Sequence, residues 1–260
     1  RFNAGHEVGD AAQRLYDPDG RGVLIDPQQE GYAAALLRTN HLLGTSQPVF
    51  EAGFSADGVV AFADVMLPVE QGAGLVWRMV EVKSSTSVKD FHRDDVAIQS
   101  FAARRAGVPL LSVSVAHVDS SWVYPGGGDY AGLLKEVDLT EEAFGRDLEV
   151  QDWLTQAQEV VSCPMEPVRD TGPHCTSPFE CVFLDHCAAG KPKAEFPVAW
   201  LPRVQSTSLK THLASPNIVD MRDVPDALLN ATQLRVKQQS LAGVPYFDAV
   251  AAARWLQPHQ

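Results

Sequence analysis

Apolar residues recur at helical spacing near the start of the chain, where Val8, Ala12 and Leu15 share a face. The pattern predicts a helix over 3–16 that Asn3 can cap and that Asp17-Pro18-Asp19-Gly20 ends. A second helix opens at Asp26-Pro27, with Gln29 in the capping-box position and Ala34, Leu37 and Leu42 along its length. The period then falls to two. Residues 48–54 and 59–67 read as strands joined at Ser55-Ala56-Asp57-Gly58, a hairpin signal. The loop Gly72-Ala73-Gly74 precedes a third strand over 75–82. A helix is expected over 87–106, stopped by Gly107, then a fourth strand over 110–118 rich in β-branched residues. A short edge strand is expected at 122–124, before Gly126-Gly127-Gly128. A helix over 141–160 leads to a cysteine-rich stretch, and helices over 226–241 and 247–256 close the chain.

This order predicts an α/β fold: a small mixed sheet flanked by helices, with a cysteine-rich annex and a helical C-terminal tail. The expected division is a core over 1–160, an annex over 161–190 and a mostly helical segment over 191–260. Hydrophobic residues (45%) and charged residues (21%) stand in the proportion of a soluble globular chain. No apolar run approaches the roughly 20 residues a membrane span requires, so no membrane partner is expected. Arg1 leads straight into a helical pattern with no signal peptide, as in the middle of something longer.

The net charge of -12 weighs against a phosphate partner until its distribution is considered. Two stretches run the other way, a local +2 from Arg78 to Arg105 and +3 from Lys191 to Lys237. Within the first lies the candidate chemistry. Asp64 comes late in the second strand and Glu81-Val82-Lys83 closes the third. Strand alternation places residues 81 and 83 on one face, and pairing of the two strands brings Asp64 opposite Glu81. Two carboxylates there make a hard oxygen site suited to Mg²⁺ or Mn²⁺, and a lysine beside them can position water and offset phosphoryl charge. A Glu-x-Lys triplet alone is weak, since about one arises by chance in a chain this long. Its placement at the end of an otherwise apolar strand gives it weight, because charges there are partly buried.

Asp64 with Glu81-Val82-Lys83-Ser84-Ser85-Thr86 resembles the core motif of RecB-type nucleases of the PD-(D/E)XK superfamily. Gln99 matches the glutamine of the family's Gln-x-x-x-Tyr motif, although Ala103 stands at the tyrosine position. Gly5-His6-Glu7-Val8-Gly9 resembles the helical histidine motif, and Phe50-Glu51-Ala52 the acidic strand before the catalytic aspartate. The similarity covers roughly residues 1–190. It implies a restriction-endonuclease-like core and a Mg²⁺- or Mn²⁺-dependent nuclease acting on single-stranded DNA or DNA ends. It further implies that His6, Asp64, Glu81 and the Val82 carbonyl hold metal, with Asp64, Glu81, Lys83 and Gln99 catalytic and Glu51 a secondary acid. The alternative is a nucleic-acid-binding or assembly module of the same fold without turnover.

Cys163, Cys175, Cys181 and Cys187 lie within one 25-residue stretch, the habit of a metal or cluster site in a reducing cytoplasm rather than of a disulfide framework. Four thiolates can hold an iron–sulfur cluster or a structural Zn²⁺, with His174 and His186 in reserve. The last three cysteines are similar to the C-terminal cluster ligands of the iron–sulfur RecB-type nucleases, a group that includes the CRISPR-adaptation nuclease. That resemblance implies a 4Fe–4S cluster, whose fourth ligand is either Cys163 or a residue preceding Arg1. Residues 196–260 resemble a segment that links such a nuclease module to a further domain, implying a larger multidomain protein or nuclease complex.

Overall fold

The computed structural model describes residues 2–72, 74–189, 194–215 and 218–256; Ala73, Lys191 and the side chain of Asn3 fall outside the described residues. The chain divides into two compact units, Arg1–Val168 and Arg169–Gln260. The first is an α/β unit. Its elements are α1 (Phe2–Tyr16), β1 (Val23–Leu24), α2 (Pro27–Glu30), α3 (Tyr32–Leu42), β2 (Val49–Ala56), β3 (Val59–Gln71), β4 (Gly74–Lys83), α4 (Asp90–Arg105), β5 (Leu110–Val118), β6 (Leu134–Asp138), α5 (Thr140–Gly145) and α6 (Asp147–Ser162).

Among the described residues six strands lie in sequence order in one mixed sheet. β1 is parallel to β2, β4 is parallel to β5, and the other neighbours are antiparallel. The β2–β3 turn is the expected hairpin, with Asp57 and Gly58 at φ 50 and 82, the paired positive values that suit a two-residue turn. Helix α4 covers the parallel step between β4 and β5 and stops at Gly107 (φ 86). Apolar side chains from α3, α4, α5 and α6 form the larger core on one face, with Trp77, Met79, Phe101 and Val113 at most 1% exposed. On the other face Phe50, Val65, Val80 and Ala116 make a smaller cluster capped by Tyr16 of α1.

Three local expectations change in this unit, and in the second unit the helix expected over 226–241 begins only at Ala231, after a 3₁₀ turn at Asp226–Leu228. The second helix breaks at Gly31, whose φ of 83 no ordinary helical residue adopts, and Glu30 rather than Gln29 returns a carboxylate to the Asp26 N–H. Residues 122–124 form no strand. Trp122, Tyr124 and Tyr130 instead stack together in a loop, and the edge strand is β6, whose charged sequence Leu-Lys-Glu-Val-Asp concealed it. The helix expected over 141–160 is two, α5 and α6, separated at Arg146.

The second unit contains α7 (Leu184–Ala188), α8 (Thr207–Leu213), α9 (Ala231–Ala242) and α10 (Ala249–Trp255). It has its own small core of Leu201, Leu209, Met221 and Val224. Asn230 caps α9 by accepting from Thr232 and Gln233 N–H, and Gly243 ends it in the left-handed conformation. Among the described residues no helix is long and apolar enough to cross a membrane.

Phe101 on α4 fills the centre of the larger core. Phe101→Ala is expected to lower the unfolding free energy by about 3–5 kcal/mol, read as a lower urea midpoint at unchanged slope. An unchanged midpoint would contradict the packing of α4 on the sheet.

Candidate active site

The site is built where β2, β3 and β4 lie side by side. Regular alternation would send Ala63 and Met66 to opposite faces, yet both pack into the larger core, as do Val49 and Ala52 on the neighbouring strand. Between them Glu51 takes φ 56, a left-handed value that costs a non-glycine residue energy. The paired register runs Phe50↔Val65 and Ala52↔Ala63, which leaves Glu51 and Asp64 facing one another at the break. The next pairing, Val65↔Val80 and Met66↔Met79, continued by one step sets Asp64 opposite Glu81. Three acids from three adjacent strands therefore fall on one line across the sheet.

Their hydrogen bonds tie the line together. Asp64 Oδ2 accepts from the Val82 N–H at 2.6 Å. Glu81 is only 4% exposed; its Oε1 accepts from Lys83 Nζ at 2.6 Å, while its Oε2 is buried with no partner among the described residues. Lys83 Nζ also donates to Asp95 Oδ2 on α4 at 2.5 Å. Gln99, one helical turn further along α4, donates from Nε2 to Asp95 Oδ1 at 3.3 Å, and its own Oε1 is buried and unpartnered.

Burial is the largest cause that raises each of the three acids, and nearby carboxylates add to it: Asp64 for Glu51 and Glu81, Asp95 for Asp64. Glu51 is pushed up to about 7 by burial first, then by Asp64 and Asp26. Asp64 lies above the usual carboxylate range through burial, against the pull of the Val82 N–H and Lys83. Glu81 is raised well above its ordinary value, by burial and then by Asp64. Burial alone would lower the Lys83 ammonium, but Glu81 and Asp95 outweigh it and hold the group protonated. His92 on α4 is lowered by burial and by Lys83. The site is thus a set of carboxylates short of positive charge, one oxygen of which has no hydrogen-bond donor, and this fits a bound cation.

A cavity of about 500 Å³ opens beside this line. It is bordered by Glu51, Asp64 and Val82 from the strands, His6 and Asp10 from α1, and Asp26. Gly5 and Gly9 also line it, and a Cβ at either would meet nothing within 4 Å. The expected residues His6, Glu51, Asp64 and Val82 therefore share one space, whereas Glu81, Lys83 and Gln99 do not line it and are joined instead through Asp95 of α4. Asp95 is the polar partner that the sequence reading did not single out; its spacing of four from Gln99 was the available signal. Among the described residues no group of three or more His, Cys, Asp or Glu side chains is arranged as a ready-made metal site.

All four cysteines are free thiols. Cys163 is exposed at the end of α6 in the first unit. In the second, Cys175 is buried, and its Sγ accepts from the Gly172 N–H at 3.4 Å. The Cys181 N–H donates to the Cys175 carbonyl, which draws those two residues together.

No protein-family model and no curated protein matches the chain. The crystal structure of SSO0001 aligns with 62% of this chain and 78% of that chain at 14% identity, with a TM-score of 0.22. At that score the similarity carries no structural argument.

Because the folded state holds protons on these acids that the unfolded chain releases, stability is fullest below the ordinary carboxylate range. It declines as pH rises through about 7, where Glu51 ionises. Thermal melts from pH 4.5 to 8 should show this decline, with a shallower slope in Glu51→Gln. Added Mn²⁺ should raise the melting temperature more at pH 8 than at pH 5.5, since it competes with protons for the same oxygens. Equal slopes in the two proteins would contradict the raised Glu51.

Proposed function

We propose that the chain is a metal-dependent nuclease related to the RecB-type PD-(D/E)XK enzymes, with a restriction-endonuclease-like core, hydrolysing phosphodiester bonds of DNA on single strands or at ends. The observation that carries this reading is the junction of Asp64, Glu81 and Lys83 on adjacent strands, with Glu81 Oε2 buried and unpartnered. Asp64 and Glu81, with the Val82 carbonyl and His6, would hold Mg²⁺ or Mn²⁺. When bound, the ion supplies Lewis-acid stabilisation of phosphoryl charge and activation of water. The chain's own contribution is to desolvate and orient. Burial strips water from the carboxylates, which gives them a strong preference for a cation over a proton as pH rises. Lys83, kept protonated by Glu81 and Asp95, acts as a donor to the attacking water or a phosphoryl oxygen rather than as a base. Glu51, across from Asp64, presses the strand site toward the same cation from the β2 side.

Within the second unit Cys175, Cys181 and Cys187 would supply thiolates to an iron–sulfur cluster, with Zn²⁺ the alternative; the buried Cys175 thiol supports either. Such a group would be structural, fixing a segment with few buried side chains of its own.

A second reading is a DNA-binding or assembly module without turnover. Ala103 favours it, being fully buried in the larger core where the resembling motif carries a tyrosine. Cleavage of end-labelled single- and double-stranded DNA with Mg²⁺ or Mn²⁺ separates the two. Lys83→Ala should cut at least about 10²-fold more slowly while melting as a folded protein. Undiminished cleavage by that variant would refute the assigned centre. Salt-sensitive binding of single strands without cleavage under any divalent metal would select the second reading.

A further inference from the structure

Lys83 is suspended between two elements. One contact is to Glu81 Oε1 on its own strand, the other to Asp95 Oδ2 on α4. The two carboxylates differ in situation. Glu81 is enclosed and has an oxygen with no partner, whereas the Asp95 side chain is 40% exposed and both its oxygens are engaged, one by Lys83 and one by Gln99. Gln99 is itself 5% exposed, so the amide that orients Asp95 is held by the core of the helix–sheet layer.

We propose that Asp95 is a positioning residue, which holds the Lys83 ammonium by a contact independent of Glu81 and so keeps it aimed at the reacting phosphate when Glu81 turns to a cation. The inference rests on the nuclease reading above. A lysine stem has four carbons and many rotamers. Tied to Glu81 alone, the ammonium would close a salt bridge on the oxygens that the cation needs, and would be set loose once the cation displaced it. The contact from α4 removes that conflict. Of the three N–H groups of the ammonium, Glu81 and Asp95 take two, and the third remains for a water or phosphate oxygen. Gln99 acts one step further back, since its bond to Oδ1 sets which way Oδ2 points. The line Gln99–Asp95–Lys83 thus transmits the rigid register of a packed helix to the tip of a flexible side chain.

The test compares wild type, Asp95→Asn, Lys83→Ala and the double variant, all as the full chain. Two readouts are taken. The first needs no turnover: brief acylation with acetic anhydride, with modification of Lys83 measured by mass spectrometry against the exposed Lys135 as reference. Asp95→Asn should raise the Lys83 to Lys135 ratio several-fold. The second is DNA cleavage with Mn²⁺, where Asp95→Asn should lower kcat by about 10- to 100-fold with KM little changed. On the Lys83→Ala background it should add no further loss. Asp95→Ser provides a second variant should the amide perturb folding, which melting curves report. Unchanged labelling of Lys83, or an equal loss of kcat with Lys83 already removed, would overturn the proposal. Wild-type protein that cleaves no DNA sinks the nuclease reading and the role in turnover with it, while the labelling ratio still decides whether Asp95 holds Lys83.

Discussion

Carboxylates forced together inside a sheet are the constraint on which the rest of this unit turns. Glu51, Asp64 and Glu81 arrive from three neighbouring strands at one line, and each is raised first by burial, with Asp64 adding to it for Glu51 and Glu81 and Asp95 for Asp64. Two like charges at such separations in a poorly solvated setting repel strongly, and a sheet has no freedom to move them apart. Such an arrangement persists only if something neutralises it: protons at low pH, the Lys83 ammonium in part, or a cation. The left-handed Glu51 and the broken alternation at Asp64 are further costs located at the same point. Strain and unmet charge thus accumulate on one line, where apolar residues would have packed at lower cost.

The remainder of the first unit is arranged so that this line cannot relax. The larger core clamps β2, β3 and β4 from one face through α3 and α4, and the Tyr16 cluster closes part of the other. Tyr16 donates to Glu136, which also receives Arg78 and Ser114, so polar groups on that face are paired among themselves rather than with the acids of the site. Helix α4 has two duties. Its apolar side carries Val96, Ala97 and Phe101 into the core, and its polar side delivers Asp95 and Gln99 to Lys83.

Much of this was legible in the sequence, and the reasons for the exceptions are physical. The strands with clear alternation or β-branched runs, and the helices with a definite stop such as Gly107, follow the hydrophobic pattern closely. β1 has only two residues and β6 is a charged edge strand; neither buries enough side chain to leave a periodic mark. Trp122 and Tyr124 read as strand residues because aromatics favour sheets, but here they satisfy one another in a loop. In the site, alternation on β4 puts Glu81 and Lys83 on one face and antiparallel pairing brings Asp64 opposite Glu81, but the break in alternation at Asp64 left no mark in the sequence. Glu51 was visible as an acid but its backbone conformation was not, since nothing in the sequence marks a glutamate for positive φ. Asp95 was hidden because acids on a helix ordinarily face water; only the fold of α4 over the strand end reveals its partner.

The central claim is that Asp64 and Glu81 together hold a divalent cation. Titration of Mn²⁺ into the protein at pH 7.5, with free Mn²⁺ followed by electron paramagnetic resonance, measures this without reference to any substrate. The account predicts saturable loss of the free-ion signal in wild type and its return in both Asp64→Asn and Glu81→Gln. Identical titration curves for all three proteins would contradict it.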